Sequence, residues 1–195
     1  MKKDMNFDYW KLDKIIPESV CDLLISSHTD WIRGGVVNKV DDKKLLVQRQ
    51  VMRDSDIVWI DNNFWRNSFY KILSDVNITS GWNFDLQGIQ VMQLTRYVAP
   101  NGHYDYHMDG NGYNTTINSD VGVVRKLSMS CLLNDPSEFE GGQLEFKLSS
   151  APPPNLNMEK GDIVIFPSYY LHRVSPVTKG TRYSLVAWGV GEPLR

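Results

Sequence analysis

The chain has 195 residues, of which 42% are hydrophobic and 11% aromatic, a composition typical of one globular domain with a substantial core. Its 21 basic and 23 acidic residues give a formal net charge of -2, and no long basic run suggests nucleic acid or an anionic membrane surface as a partner. The start of the chain lacks the apolar core of a signal peptide and no apolar run approaches ~20 residues, so the sequence predicts a cytoplasmic protein that acts on small molecules or peptides.

The N-terminal part of the sequence has the patterns of two helices and a hairpin. A proline begins a segment with apolar residues at helical spacing, which predicts a first helix over about 17–28. The β-rich runs 35–40 and 45–51 flank a polar turn and predict a hairpin. Asp61 is expected to cap a second helix over 62–76, whose large apolar residues fall close to one face.

From about residue 87 the sequence changes to short β-rich runs interrupted by Gly, Pro and Asn. Seven such runs favour a sandwich or jelly roll over a βαβ fold. They cover about 89–97, 104–108, 127–133, 142–148, 162–166, 172–174 and 182–188. With no internal repeat, we expect a single domain over 1–195, with helical and hairpin support over about 1–86 and the jelly-roll core over about 87–190.

Two smaller features have ordinary structural interpretations. Cys21 and Cys131 are too few for a disulfide framework, and Cys131 lies in an apolar run, so both are predicted to be buried thiols. Three consecutive prolines within 149–154 predict a stiff connection between strands, with recognition of the proline segment by a partner as the alternative.

His107, Asp109 and His172 are the candidate metal ligands. His107 and Asp109 stand two residues apart, so on a strand their side chains point to the same side of the sheet. Two imidazoles and one carboxylate hold a non-haem Fe(II) while leaving three positions open, provided that His172 lies on a nearby strand. A His two residues before an Asp also occurs by chance, and the surrounding sequence decides between these interpretations.

That surrounding sequence carries a family resemblance. Residues 102–110 read Gly-His-Tyr-Asp-Tyr-His-Met-Asp-Gly, and residues 166–184 contain His172 followed ten residues later by Arg182. Over about 53–188 the chain resembles the Fe(II)/2-oxoglutarate-dependent dioxygenases, in the prolyl 4-hydroxylase-like branch that includes the PKHD-type hydroxylases. The resemblance implies a mainly β (α+β) fold, a double-stranded β-helix or jelly roll with supporting N-terminal helices, with the metal inside one end.

The resemblance also implies an activity and its cofactors. It implies Fe(II), with 2-oxoglutarate and O₂ as co-substrates, and hydroxylation of peptidyl proline coupled to decarboxylation of 2-oxoglutarate to succinate and CO₂. The implied partner is a proline-containing peptide or protein. Relatives commonly use L-ascorbate to rescue oxidised iron, but the sequence does not set whether this chain needs it, nor its oligomeric state.

Three residues match positions that bind the co-substrate in the family. The planar guanidinium of Arg182 suits the far carboxylate of 2-oxoglutarate, because it can make paired charge-assisted hydrogen bonds. Ser184 lies two residues on and shares its face, and the Arg-x-Ser pattern recurs in the superfamily for this purpose. Tyr97 matches a tyrosine that touches the co-substrate in relatives, although strand tyrosines are also commonly part of a core.

Tyr104, Arg125 and Trp188 match positions that surround the target proline in prolyl 4-hydroxylases. An aromatic wall suits a pyrrolidine ring and an arginine can bind a peptide carbonyl, although each residue also has a structural interpretation. One departure concerns the substrate class. Collagen-type enzymes generally have a lysine where this chain has Arg182, whereas oxygen-sensing and PKHD-type relatives use arginine.

The remaining candidates stay open. Residues 53–56 resemble the start of a family loop that closes on the peptide, or form a solvated turn. Residues 110–122 are a candidate lid or a passive loop. His28 and His103 lack partners at ligand spacing and are placed outside the site. Besides prolyl hydroxylation, two alternatives remain: the same chemistry on another residue, free amino acid or small metabolite, and a non-catalytic cupin-like binding module.

Overall fold

The computed structural model describes residues 9–37, 46–47, 52–110, 122–148 and 156–193. Within them, the helices are α1 (Glu18–Ser26), α2 (Asn63–Thr79) and a short 3-10 helix, Pro136–Glu138. The strands are β1 (Trp10–Leu12), β2 (Ile32–Arg33), β3 (Val36–Val37), β4 (Leu46–Val47), β5 (Arg53–Asp54), β6 (Asp56–Ile60), β7 (Gly88–Ile89), β8 (Met92–Val98), β9 (His103–His107), β10 (Val124–Leu132), β11 (Phe139–Gly141), β12 (Leu144–Phe146), β13 (Ile163–Pro167), β14 (His172–Val174) and β15 (Val177–Gly191).

Two antiparallel sheets form the body of the protein. The larger sheet has the strand order β1-β13-β10-β15-β8-β6-β2, with β7 and β11 also paired to β15. The smaller sheet has the order β12-β14-β9-β5. Buried side chains of β10 and β13 pack against those of β12, so the two sheets face each other across an apolar interior. This is the predicted jelly roll, and the fold-class prediction is confirmed.

The N-terminal part contributes strands as well as support. β1, β2 and β6 are members of the larger sheet, which the sequence did not predict. β3 pairs with β4 antiparallel, which confirms the predicted hairpin strands. The hairpin turn, the proline segment 149–154 and residues 111–121 of the candidate lid lie outside the described residues. The division into one domain with two parts stays a prediction.

Both predicted helices are present, but the cap of α2 differs from the prediction. The side chain of Asn62 accepts a hydrogen bond from the backbone N–H of Trp65, at 3.2 Å, and this residue is the N-cap. The prediction that Asp61 caps the helix was therefore wrong. The Asp61 carboxylate instead accepts a hydrogen bond from Arg66 at 3.2 Å. Asp and Asn are about equally good caps, so composition alone does not decide between adjacent positions.

The core has two layers, one on each side of the larger sheet, and successive side chains of β10 point alternately into one layer and the other. Leu127, Met129 and Cys131 face α1 and α2 in the larger apolar cluster, and Cys21 lies in the same cluster. Leu132 belongs to the cluster between the sheets, so the even-numbered residues from 128 onward point into the jelly roll. Cys21 and Cys131 are both free thiols and fully buried, as predicted. No helix within the described ranges is long and apolar enough to cross a membrane.

Replacement of Leu185 by alanine tests the importance of the core layer between the larger sheet and the helices. Leu185 is completely buried at the centre of the larger sheet. We expect Leu185→Ala to lower the free energy of unfolding by about 2–5 kcal/mol, because the lost burial is added to the cost of a cavity. Urea unfolding followed by circular dichroism measures it. Leu23→Ala is the control, since Leu23 is 56% exposed on α1; similar losses in both variants would contradict the expectation.

Candidate metal centre

The three predicted ligands lie at adjacent ends of two paired strands. His107 is the last residue of β9 and His172 the first of β14, and the two are direct partners in the antiparallel pairing. Asp109 follows β9 by two residues, with its carboxylate oxygens 3.6 Å from His107 Nε2 and 3.5 Å from His172 Nε2. One ligand atom from each residue lies within 4.8 Å of the others. The structure therefore brings together the donor set that the sequence predicted.

Backbone carbonyls orient both imidazoles for metal binding. His107 Nδ1 lies 2.7 Å from the carbonyl of Asp105, and His172 Nδ1 lies 2.9 Å from the carbonyl of Tyr170. A carbonyl only accepts, so each neutral ring carries its proton on Nδ1 and donates it there. Each Nε2 lone pair is then free for a metal, in the arrangement that commonly fixes metal-binding histidines.

The charge states of Asp109 and His172 suit a metal site. Burial alone would raise the pKa of Asp109, but attraction to the His172 and His107 rings in their protonated forms holds it well below its ordinary value. Burial lowers the pKa of His172, against the opposing effect of the Asp109 carboxylate. The carboxylate is thus ionised and the His172 ring neutral near pH 7, which are the forms that bind a metal.

A serine that sequence reasoning missed supports the carboxylate. Ser128 donates from Oγ to Asp109 Oδ2 at 2.7 Å, and its hydroxyl lies 2.9 Å from that of Ser168. A signal for Ser128 was present in the sequence, because polar and apolar residues alternate over 127–131. In a strand this pattern places serines on one face, here the face toward the metal ligands.

Ser128→Ala should weaken metal binding without unfolding the protein. The substitution removes the hydrogen bond that orients Asp109, and loss of such a partner typically costs about 10- to 100-fold in metal affinity. Anaerobic titration with Fe(II), followed by tryptophan fluorescence, measures the change. Ser130→Ala is the matched control, since Ser130 is buried on the same face of β10 and no hydrogen bond joins it to a ligand in the described structure. An unchanged affinity for Ser128→Ala would remove the assigned role.

Arg182 lies inside the jelly roll without a carboxylate partner. It is 2% exposed, its Nη1 is buried without a hydrogen bond, and no carboxylate of the described residues pairs with it. Burial lowers the pKa of Arg182, yet a guanidinium stays protonated near neutral pH. An uncompensated buried charge is costly, so this group fits a receptor for a carboxylate that the protein itself does not supply.

Tyr97 and Ser184 lie beside Arg182. Tyr97 is the direct partner of Arg182 across the β8–β15 pairing, and its ring centre is 5.7 Å from the guanidinium carbon. Burial raises the pKa of Tyr97, so its hydroxyl remains a hydrogen-bond donor. Ser184 is 1% exposed, two residues further along the strand. Their proposed contacts with a co-substrate stay predictions.

The three residues predicted to surround the substrate take part in one aromatic stack and one cation–π pair near the metal ligands. Tyr104 stacks on His107, with ring centres 3.5 Å apart, and burial raises the pKa of Tyr104 to about 12. The guanidinium of Arg125 lies 3.7 Å over the Trp188 ring and donates from Nε to Gln90 at 2.7 Å. Trp188 is 4% exposed, and its indole N–H is buried without a hydrogen-bond partner.

Arg53 belongs to the same region, and the interpretation of its segment as a solvated turn was wrong for this residue. Arg53 is 7% exposed, donates to Ser55 at 2.8 Å and to Gln93 at 2.7 Å, and lies 4.5 Å over the Tyr104 ring. Gln93 and Tyr104 lie on β8 and β9, so nothing local in the sequence indicates these two contacts. His28 lies outside the site, with its ring against the carbonyl of Leu24.

Comparison with known proteins gives the family. The sequence model of the 2OG-Fe(II) oxygenase superfamily matches residues 92–189, half of the chain. The chain belongs to this superfamily, whose name states its metal and its co-substrate. The ligands and the unpartnered Arg182 all lie within the matched residues, and they fit Fe(II) and a dicarboxylate co-substrate.

Two curated relatives are PKHD-type hydroxylases. That of Idiomarina loihiensis is 38% identical over 86 residues, which cover 44% of this chain and 36% of the relative. That of Pseudomonas fluorescens is 34% identical over 87 residues, 45% of this chain and 38% of the relative. The alignments thus span less than two fifths of each of these relatives.

Two solved structures with the same fold are prolyl hydroxylases. A Pseudomonas putida prolyl-4-hydroxylase has a TM-score of 0.69 at 18% identity, covering 99% of this chain and 96% of that one. A Trichoplax adhaerens prolyl hydroxylase, in complex with a peptide fragment of hypoxia inducible factor, has a TM-score of 0.69 at 16% identity, with 96% and 85% covered. At these identities the likeness establishes the fold.

Proposed function

We propose that this protein hydroxylates peptidyl proline, consuming O₂ and converting 2-oxoglutarate to succinate and CO₂. The observation that carries the proposal is the pairing of the His107, Asp109 and His172 donor set with a buried, unpartnered Arg182 in one jelly-roll interior. When bound, Fe(II) and 2-oxoglutarate supply the oxidising power, with one oxygen atom of O₂ entering the substrate and the other entering succinate.

The co-substrate side of the site is built to hold a dicarboxylate in one orientation. Arg182 binds the far carboxylate, and the Tyr97 and Ser184 hydroxyls donate further hydrogen bonds. His107, Asp109 and His172 would hold an iron through three positions, and the remaining positions would be available to the oxo acid and O₂. Burial of these groups excludes water, so the hydrogen bonds act in a medium where they are strong.

The substrate side combines aromatic faces with hydrogen-bond donors. Tyr104, stacked on His107, offers a ring close to the metal against which a pyrrolidine can pack. Arg125 is held in place by Gln90 and Trp188, and can donate to a peptide carbonyl. The indole N–H of Trp188 has no partner in the protein, so a carbonyl of the substrate would satisfy it. A cyclic residue within a peptide fits this arrangement.

The relatives support a hydroxylase but leave the substrate to experiment. The matched curated relatives are PKHD-type hydroxylases, and one protein with this fold is a prolyl hydroxylase in complex with a peptide fragment. Arg182 stands where collagen-type enzymes have lysine. This departure favours a non-collagen peptide as the substrate.

The test is succinate formation from 2-oxoglutarate by protein loaded with Fe(II) under nitrogen and then exposed to O₂. The assay is run with and without a proline-rich peptide, and with and without ascorbate. Peptide-stimulated succinate that matches a peptide product heavier by one oxygen atom establishes prolyl hydroxylation. Succinate without a modified peptide would support oxygenase activity and indicate that the substrate is another residue, a free amino acid or a small metabolite. No succinate under any condition favours the non-catalytic binding module.

A further inference from the structure

A cavity of about 230 Å³ lies beside Arg182, at the end of the jelly roll away from the metal ligands. Its walls combine polar and apolar groups in nearly equal parts, and none of the three metal ligands lines it. The apolar side chains of its lining are Leu132, Pro136, Phe139, Leu144, Leu156 and Met158. Among the described residues that line it, Arg182 alone is charged.

Strand pairing places this cavity deeper inside the jelly roll than the metal ligands. In the smaller sheet Phe146 is opposite His172, whereas the cavity residue Leu144 is opposite Val174, two residues and about 7 Å further along the strand. In the larger sheet the cavity residue Leu132 is four positions beyond Ser128, which contacts Asp109. The cavity therefore begins at the level where Arg182 would hold the far carboxylate of 2-oxoglutarate.

The cavity also reaches the protein surface. Gln143 and Asn157 line it and are both exposed to solvent. Gly142, with a φ of 66°, lines the wall next to Arg182, where a Cβ atom would stand 2.9 Å from Arg182 Cδ and 2.9 Å from Val177 Cγ2. A side chain at this position would clash with Arg182 and Val177, so the glycine leaves room for Arg182 beside the cavity.

The opposite end of the site is the one that a peptide would cover. Tyr104 lies against His107 there, and Trp188 is paired with Ser128, next to Asp109. A peptide bound over these residues would close the front of the metal site. A second route would let 2-oxoglutarate and succinate exchange while the peptide stays bound.

We propose that the cavity is a rear passage for dicarboxylates, through which 2-oxoglutarate enters and succinate leaves beside Arg182. The proposal rests on the proposed function of Arg182 as the co-substrate receptor. The charge pattern supports it: none of the cavity-lining residues that the structure describes is acidic, and the guanidinium of Arg182 attracts a dianion inward. The exposed amides of Gln143 and Asn157 can hydrogen-bond a carboxylate at the mouth.

The test narrows the mouth and follows binding rates. Asn157→Phe adds bulk at an exposed position, without adding a tryptophan, and Asn67→Phe on exposed α2 surface is the matched control. Binding of 2-oxoglutarate to the Fe(II)-loaded protein under nitrogen is followed by stopped-flow tryptophan fluorescence. We expect association and dissociation rate constants in Asn157→Phe to fall by the same factor, about fivefold or more, with Kd unchanged, because the obstruction lies outside the bound state.

Two results would overturn the passage. Unchanged rates would place entry at the front, and a raised Kd with an unchanged association rate would make Asn157 part of the binding site instead. If Asn157→Phe fails to fold, Asn157→Cys can be labelled with a bulky thiol reagent, because Cys21 and Cys131 are fully buried. Labelling should slow the binding of 2-oxoglutarate. Removal of the label with a reductant in the same sample should restore the original rate. Absence of 2-oxoglutarate binding to the unsubstituted protein would instead contradict the proposed function.

Discussion

Replacement of His172 by alanine should lower Fe(II) affinity by at least about 100-fold and abolish succinate formation. This loss should exceed that caused by removing a group that only orients a ligand. His172 is 5% exposed and faces Asp109 and His107 directly, and no other imidazole of the described residues is placed to replace it. The two ligands left behind form an incomplete set, so iron would be lost on dilution. His107→Ala should behave in the same way.

Anaerobic Fe(II) titration and succinate assays measure this effect on the same preparations. His28→Ala is the control, because the His28 ring contacts the carbonyl of Leu24 on α1 and lies outside the ligand cluster. Asp109→Ala is the milder variant, because water or a halide can occupy the vacated metal position. Full activity of either histidine variant would refute the metal assignment.

Local periodicity explains why part of the metal centre could be predicted. Side chains two residues apart on a strand share a face, so His107 and Asp109 could be assigned to one site from their spacing. The position of His172 depends on β14 pairing with β9, a contact between segments far apart in sequence. Its assignment needed the resemblance of the surrounding residues to a known family.

The position of Arg125 shows where local periodicity fails. Strict alternation along β10, counted back from the inward-facing Ser128, would point residue 126 into the jelly roll and residue 125 away from it. A shift in the pairing register between Arg125 and Leu127 reverses this order and places Arg125 over Trp188. Such bulges often re-aim side chains next to active sites, but the sequence carries no clear signal for this one.

Contacts across strands account for the other differences between the sequence and the structure. The burial of Arg53 depends on Gln93 and Tyr104, which lie on two other strands. From its neighbours alone, a charged residue beside Asp54 is indistinguishable from part of a solvated turn. The addition of β1, β2 and β6 to the larger sheet likewise depends on pairing partners and not on the composition of these short segments.

Arg182→Met should have opposite effects on ligand binding and on the stability of the ligand-free protein. We expect its affinity for 2-oxoglutarate to fall by about 30- to 1000-fold, which corresponds to the loss of about 2–4 kcal/mol for a buried charge pair. Without ligand, the substitution removes an uncompensated buried charge from an apolar interior. Replacement by an apolar side chain of similar length should then leave the Tm unchanged or raise it.

Arg96→Met provides the contrast, because Arg96 lies next to Tyr97 on β8 but pairs with Asp56 at 2.9 Å. Its loss should lower stability by up to about 1 kcal/mol and leave 2-oxoglutarate affinity intact. Thermal unfolding with and without 2-oxoglutarate separates the two arginines: the ligand should raise the Tm of Arg96→Met but not that of Arg182→Met. If the Tm of ligand-free Arg182→Met lies far below that of the wild type, the guanidinium stabilises the fold. Its lack of a carboxylate partner would then no longer support Arg182 as the receptor for the co-substrate.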